Sequence, residues 1–369
     1  LRRRQRQMCI RDSWYIDQMR RPAYDSPSLP ISWTRLQYVT GTREGIPVQP
    51  DALQQVIDYY KDSPEDLKQM LGDNPYELKN IIRHWVLNDN PDLQIFPTDS
   101  IVVTVDKEAV KRSGMMIAAD SIPDVMHISL KGKRAVYKSE MMMLEMISQA
   151  NWERPLYMST TVGPDNYGHL GDNFVQEGLA CRITPFDTKQ SGRTIDSERM
   201  YNNMMNKFKY GGLKENPDIY LDETVIRMCY THRRLFNQLA QQLLKEGQKD
   251  KALKVLQRAE EEIPGSIVPH EAFYGHSLEL ADAWLALGHK AEAEKLLNAV
   301  GQNAKEYIEW YLSLNTQRLL QSSRECLMQI YILNDIAKTW EPIDKKKAET
   351  YRMEVNNYAS RCHQRGMSL

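Results

Sequence analysis

The feature that most constrains this chain is a repeat. The segment LLKEGQKDKALKVL at 243–256 returns as WLALGHKAEAEKLL at 284–297, an offset of 41 residues. Each copy carries apolar residues at helical spacing on both sides of a glycine, Gly247 and Gly288, so each reads as the turn of a helical hairpin. A repeated hairpin buries its apolar face only against its neighbours, which commits this half of the chain to a stacked all-α array.

The first unit fits the tetratricopeptide pattern, with Phe236, Leu239, Ala240 and Leu243 on one helix and Ala252, Leu256, Ala259 and Pro264 on the next. The second keeps Leu280, Ala281, Trp284, Gly288, Ala293 and Leu297 but has Lys305 where the proline would fall. Its offset exceeds the usual ~34 residues because 264–271 makes a longer connector. Ala240, Ala252, Ala259, Ala281 and Ala293 are expected at close helix–helix contacts, where a larger side chain has no room. Residues 303–338 and 343–364 read as a longer closing helix pair that caps the stack.

Upstream the texture changes. A short helix is expected over 14–21, then an irregular proline-punctuated stretch. Further helices start at Asp51 and at Ser63-Pro64-Glu65, where proline at the first helical position loses nothing, and a third spans 76–87. The run IVVTV at 101–105 is a β-branched strand, with further strands at 125–130 and 155–161. A helix over 139–150 lies between the last two, and its methionines 141, 142, 143 and 146 read as adaptable core filler. Strand, helix, strand suggests a βαβ unit in an incomplete, partly parallel sheet. Gly211-Gly212 and Pro217 mark the linker to the helical half. The expected organisation is an α/β domain over 14–230 followed by a tetratricopeptide-like domain over 231–369.

With 41% hydrophobic and 26% charged residues the chain can bury a real core. Its longest unbroken apolar runs, 115–119 and 283–287, have five residues, far short of the ~18 a spanning helix needs. The net charge of −1 conceals an asymmetry: residues 1–13, LRRRQRQMCIRDS, hold five arginines and one aspartate. Such a start is a membrane-flanking stretch, a nucleic-acid arm or a non-native segment. The last reading is taken here, and 1–13 is set aside. The remaining 43 basic and 48 acidic residues argue against nucleic acid as a partner. Cys181, Cys229, Cys326 and Cys362 are widely spaced without a CxxC, so they encode neither a zinc ribbon nor a thioredoxin-type site, and neither demand nor forbid disulfides.

None of the eight histidines forms an HExxH pair, and there is no GxSxG elbow, phosphate loop or GxGxxG. No catalytic residue, metal ligand or cofactor is legible. One segment stands out, GPDNYGHLGDN at 163–173, directly after the third strand. Its glycines let backbone approach a ligand, while Asp165, His169 and Asp172 supply acid/base or metal-ligating groups, and Asn166 and Tyr167 are further ligand-binding candidates. Asp165, Asn166, His169 and Asp172 are expected to face one shared cleft. The alternative is a turn-rich loop whose Gly, Pro, Asn and Asp serve geometry alone.

The segments WYIDQMRR (14–21), PISW (30–33), FPTDSIVVTVDKEAV (96–110), NWERPLYMSTTVGPD (151–165) and QEGLACRITP (176–185) together resemble the C-terminal soluble part of glycosyltransferase family 117. This multi-pass family resembles protein O-mannosyltransferases and is also known as domain of unknown function 2723. The resemblance covers roughly 14–230. It implies a bacterial membrane protein whose catalytic half precedes this region, so that the chain is an N-terminally truncated fragment. It also implies a periplasmic soluble region that positions an acceptor protein or peptide, beside its own membrane domain, while the other half transfers sugar from a lipid carrier. Two other classes remain open: an interaction scaffold acting through the helical repeats, and an independent soluble enzyme using the 163–173 loop.

Overall fold

The computed structural model describes residues 45–367 together with Ser28, Ile31 and Ser32. The 1–13 segment, the helix expected over 14–21 and most of the irregular stretch after it lie outside the described residues. Two compact units divide the chain, Leu1–Asp196 and Ser197–Leu369, the first mixed α/β and the second all-α. The division falls upstream of the expected boundary at 230, a position that lies inside a helix.

The strands of the first unit are β1 (Gly45–Pro47), β2 (Ser100–Thr104), β3 (Val125–Ser129), β4 (Ala135–Tyr137), β5 (Tyr157–Ser159), β6 (Phe174–Gln176) and β7 (Ala180–Ile183). Its helices are α1 (Ala52–Tyr59), α2 (Pro64–Leu71), α3 (Leu78–Ile81, extended by a wide turn Ile82–Val86), α4 (Lys107–Arg112), α5 (Lys138–Ala150) and α6 (Thr188–Ser191). The strands form three small sheets, β1 with β4, β2 with β3, and β5-β7-β6.

The partly parallel sheet with a βαβ unit is corrected here. Every strand pair is antiparallel, and parallel pairing among the described residues is confined to single bridges such as Glu77 with Val102. The chain leaving β2 makes one short helix, α4, and returns antiparallel as β3, while α5 carries it from β4 to a different sheet. Among the described residues no crossover joins parallel neighbours.

Strand alternation sets the core. Ile101 and Val103 of β2 oppose Ile128 and Met126 of β3, and all four are buried. They meet Leu78 and Ile81 of α3 and Met141, Met142, Met143, Leu144 and Ile147 of α5. The methionine-rich face of α5 is thus core. A smaller cluster of Leu53, Leu71, Trp85 and Ile95 anchors α1 and α2.

The second unit contains α7 (Ser197–Asn202), α8 (Glu223–Lys245), α9 (Lys249–Glu262), α10 (Ser277–Ala286), α11 (Lys290–Ser313), α12 (Thr316–Gln321), α13 (Ser323–Trp340) and α14 (Lys345–Gln364). α8 packs on α9, α10 on α11 and α13 on α14, while α8–α10 and α11–α13 contacts join the hairpins. The repeat is visible at atomic scale. Gly247 and Gly288 adopt φ of 75° and 83°, a left-handed cap that glycine reaches without steric cost. Just beyond them Gln248 N–H donates to Leu243 C=O at 2.8 Å and His289 N–H to Trp284 C=O at 2.9 Å, the same closure one repeat apart.

Ala240, Ala252, Ala259, Ala281 and Ala293 are all buried, none more than 2% exposed. The longer connector is held by Arg233, itself 1% exposed, whose guanidinium donates to the carbonyls of Ile263, Val268 and Pro269 at 2.8–3.0 Å. The closing elements differ from expectation. α9 stops before Pro264, whereas α11 has no proline at the matching place and continues to Ser313. The chain then breaks, Asn315 caps α12 by accepting from Arg318 N–H, and the closing pair is α13 with α14 rather than 303–338 with 343–364.

Candidate functional site

Between β5 and β6 the chain makes two short 3-10 turns, Pro164–Asn166 and Gly171–Asn173. At the bend, Gly168 and His169 are both left-handed, with φ of 54° and 65°. Gly168 is buried against α5, and a Cβ there would sit 2.1 Å from Cε of Met143. Tyr167 packs edge-on against Phe174 with ring centroids 5.0 Å apart, and Leu170 is fully buried. Asn173 is tied to the following chain: its Nδ2 donates to Phe186 C=O, and its own C=O accepts from Thr184 N–H and Oγ1. Thr188 Oγ1 donates to Asp172 C=O at 2.8 Å. With its apolar and backbone groups so engaged, the loop leaves Asp165, Asn166, His169 and Asp172 exposed and Tyr167 half-buried.

These polar groups do not share one cleft, and that expectation is corrected. Asp165 and Tyr167 line a hollow of about 340 Å³ beside Lys133 and Glu140, which form an ion pair. Asp172 lines a different cleft of about 800 Å³, Asn166 lines neither, and His169 stands on the ridge between and borders both. The local cause is the pair of left-handed residues, which reverses the chain between Asp165 and Asp172.

The larger cleft is the best-formed candidate site. β3 supplies one wall by alternation: Met126 and Ile128 point to the core, while Val125, His127 and Ser129 face the cleft. Asp120 and Ser121 come from the loop before β3, and Asp187, Gln190 and Arg193 from around α6. Part of this lining is structural, since Asp187 caps α6 by accepting from Gln190 N–H, and Arg193 donates to Ile117 C=O at 3.3 Å. His127, His169, Asp120 and Asp172 remain as outward-facing donors and acceptors, suited to a polar, hydroxyl-bearing ligand. Among the described residues no three His, Cys, Asp or Glu side chains come together as a metal-ligand set.

The sequence reading missed His127, Asp120, Asp187, Gln190 and Arg193. A signal for His127 exists in hindsight: a histidine at an outward position of an alternating strand. The residues after α6 carried none, because their approach to the loop is purely tertiary.

Of the segments that carry the family resemblance, 176–185 reaches this cleft at Pro185, while Trp152, Tyr157, Glu177 and Arg182 are not part of its lining. Asn151 and Trp152 are consecutive left-handed residues, φ 47° and 62°, and the Trp152 indole N–H donates to Thr104 C=O at 2.8 Å. Tyr157 hydroxyl donates to Glu177 Oε2 at 2.8 Å. Glu177 and Arg182, both nearly fully buried, lie 3.7 Å apart, and Arg182 also donates to Ser113 C=O. Tyr157 and Glu177 therefore join the Trp-Glu-Arg-Pro-Leu-Tyr and Glu-Gly-Leu-Ala segments by a hydrogen bond, and the buried Arg182 of β7 carries the contact on to Ser113.

His232 and Glu260 are among the shifted groups of the second unit. Burial pushes the His232 imidazole below its ordinary 6.5. Burial also works against ionisation of Glu260, but its hydrogen bond to His270, with the charges of His270, Arg233 and Lys295, more than offsets this and holds the carboxyl below 4.5.

Compared with known families, residues 6–203 match the one described as TMEM260-associated domain 2. That match begins inside the arginine-rich start. Neither the curated proteins nor the solved structures yield a match.

Proposed function

The chain belongs to the TMEM260-associated domain 2 family, and from that membership we propose that it is the soluble, extracytoplasmic region of a multi-pass membrane glycosyltransferase. The match over 6–203 is the observation that carries this reading, because it covers the segments whose resemblance pointed to glycosyltransferase family 117. In this reading the region performs no sugar transfer. A membrane-embedded half takes the sugar from a lipid-linked donor, of the protein O-glycosylation type, and this region positions the acceptor protein or peptide. The cleft bounded by His127, His169, Asp120 and Asp172 suits that task, since it offers hydrogen-bonding groups in a concavity of about 800 Å³. No helix among the described residues is long and apolar enough to cross a membrane, so the anchoring half would lie elsewhere in the protein.

Two measurements test it. Genomic sequence upstream should encode an in-frame multi-span segment, and a start codon near Trp14 overturns the reading. Purified protein of this sequence, given lipid-linked sugars and acceptor proteins, should transfer nothing, and turnover equal to that of a protein carrying the membrane half also overturns it.

A second reading, an interaction scaffold, is favoured by one observation. The helical unit exposes Met228, Tyr274, Tyr307 and Trp310 at 48–62%, large apolar groups of the kind that anchor partner segments. Partner capture that survives removal of the membrane half and fails on Trp310→Ala distinguishes it.

A further inference from the structure

Cys326 on α13 and Cys362 on α14 are both fully buried, and their sulfurs stand 3.9 Å apart. We propose that Cys326 and Cys362 form a disulfide that covalently staples the last helix of the chain to its neighbour.

The contact is held in place independently of the thiols. Near the end of α14, Arg361 makes a two-pronged ion pair with Glu309 of α11, Nη1 to Oε1 at 2.5 Å and Nη2 to Oε2 at 2.7 Å. Just past it, Arg365 donates to the carbonyls of Leu312 and Leu314, each at 2.7 Å. These contacts hold Cys362 beside Cys326, so the sulfurs start in contact, 3.9 Å apart, for closure to the ~2.05 Å of a disulfide. A disulfide also suits the site chemically, because it removes two weakly paired S–H groups from an apolar interior. Burial raises both thiols, Cys326 up to about 12, but at Cys362, nearer the chain end, the hydrogen bond with Cys326 and the charge of Arg361 oppose the rise. Cys362 is therefore the attacking sulfur, and transient fraying of the last helical turn gives it access.

The oxidant required is an external disulfide, either a small molecule or a thiol–disulfide oxidoreductase. Cys362 thiolate attacks one of its sulfurs, forming a mixed disulfide and expelling one thiolate. Cys326 then loses its proton and attacks the Cys362 sulfur, expelling the second. Two protein thiols are oxidised to one disulfide, and one external disulfide is reduced to two thiols.

The test uses the full chain and reads no sugar transfer, so it stands or falls apart from the proposed function. Protein is equilibrated with oxidised and reduced glutathione, quenched with N-ethylmaleimide under denaturing conditions, digested, and read by mass spectrometry. The expected product is one cross-linked peptide joining Cys326 to Cys362, with Cys9, Cys181 and Cys229 alkylated. Oxidation should raise the melting midpoint by on the order of 5 °C, and dithiothreitol should reverse it. Cys326 and Cys362 both alkylated after oxidation, both carrying glutathione, or joined to other cysteines overturns the proposal. The unsubstituted chain decides the question. Cys362→Ala, placed near the chain end, should abolish both the cross-link and the midpoint shift, and a shift that persists in it overturns the stapling role.

Discussion

At the scale of single residues, the 163–173 loop depends on two backbone positions more than on its polar side chains. Gly168 combines φ of 54° with a Cβ position 2.1 Å from Met143 Cε. Gly168→Ala should destabilise the protein by about 1–3 kcal/mol in urea unfolding, through overpacking and a left-handed alanine together. His169→Gly should do the reverse, leaving stability equal or higher by up to about 1 kcal/mol, because glycine accepts φ of 65° freely. The pair separates loop architecture from cleft chemistry, since His169→Gly removes a cleft imidazole without damaging the fold. The buried Glu177–Arg182 pair is a harsher test: Arg182→Met, which strips the carboxylate of its guanidinium, should cost about 3 kcal/mol or more. The pH response follows from histidines whose folded pKa lies below the unfolded one. Burial lowers His232, and burial with the Arg83 charge lowers His84. Their contribution is complete above pH 6.5 and is lost as pH falls toward each folded value. Melting midpoints should therefore drop on acidification from pH 6.5, and His232→Gln with His84→Gln should flatten that slope.

At the scale of elements, the repeat turns on small residues at close helix contacts. Ala252 and Ala293 have no exposed surface, so Ala252→Leu and Ala293→Leu should each lower stability by about 1–3 kcal/mol. Exposed Lys254→Ala and Glu292→Ala should stay within about 0.5 kcal/mol. If both leucine variants melt like the unsubstituted protein, the tetratricopeptide reading fails. Lys251 is no neutral control, because its ammonium reaches Glu198 at 3.0 Å and lies over the Tyr201 ring. What made these helices legible is that hairpin signals are local. The spacing of Leu239, Ala240 and Leu243, the caps at Gly247 and Gly288, and the proline stop at 264 each act within a turn or two. Three strands, β2, β3 and β5, were located for the same reason, since IVVTV needs no partner to declare itself, whereas the short β1, β4, β6 and β7 were missed. Their partners were not legible. Strands of three to five residues are too short to specify register or direction, so pairing is decided by which connection folds back, and α5 crosses to another sheet instead of returning to its own.

At the scale of the whole molecule, the same logic explains why the candidate cleft was only partly visible. His169 and Asp172 stand in a conspicuous loop, but Asp120, His127, Gln190 and Arg193 come from segments far apart in sequence that only the tertiary fold assembles. The division into compact units after Asp196 differs from the sequence boundary for a related reason: the linker signal of Gly211-Gly212 and Pro217 lies inside the helical unit, between α7 and α8. The segment before α8 belongs to the helical core. Met200 and Met204 are fully buried, Tyr210 stacks on Phe236 with ring centroids 5.6 Å apart, and Ser197 Oγ donates to Glu246 at 2.7 Å. A fragment of residues 197–369 should therefore fold alone with one cooperative transition. A fragment of 231–369, cut at the boundary the sequence suggested, begins inside α8 and loses Tyr230, the Tyr210 ring and the whole of α7. It should melt lower by several kcal/mol or fail to fold, because it uncovers the apolar face of α8 around Phe236. Differential scanning calorimetry of the two fragments decides it, and equal midpoints would show that residues 197–230 contribute nothing to the core they pack against.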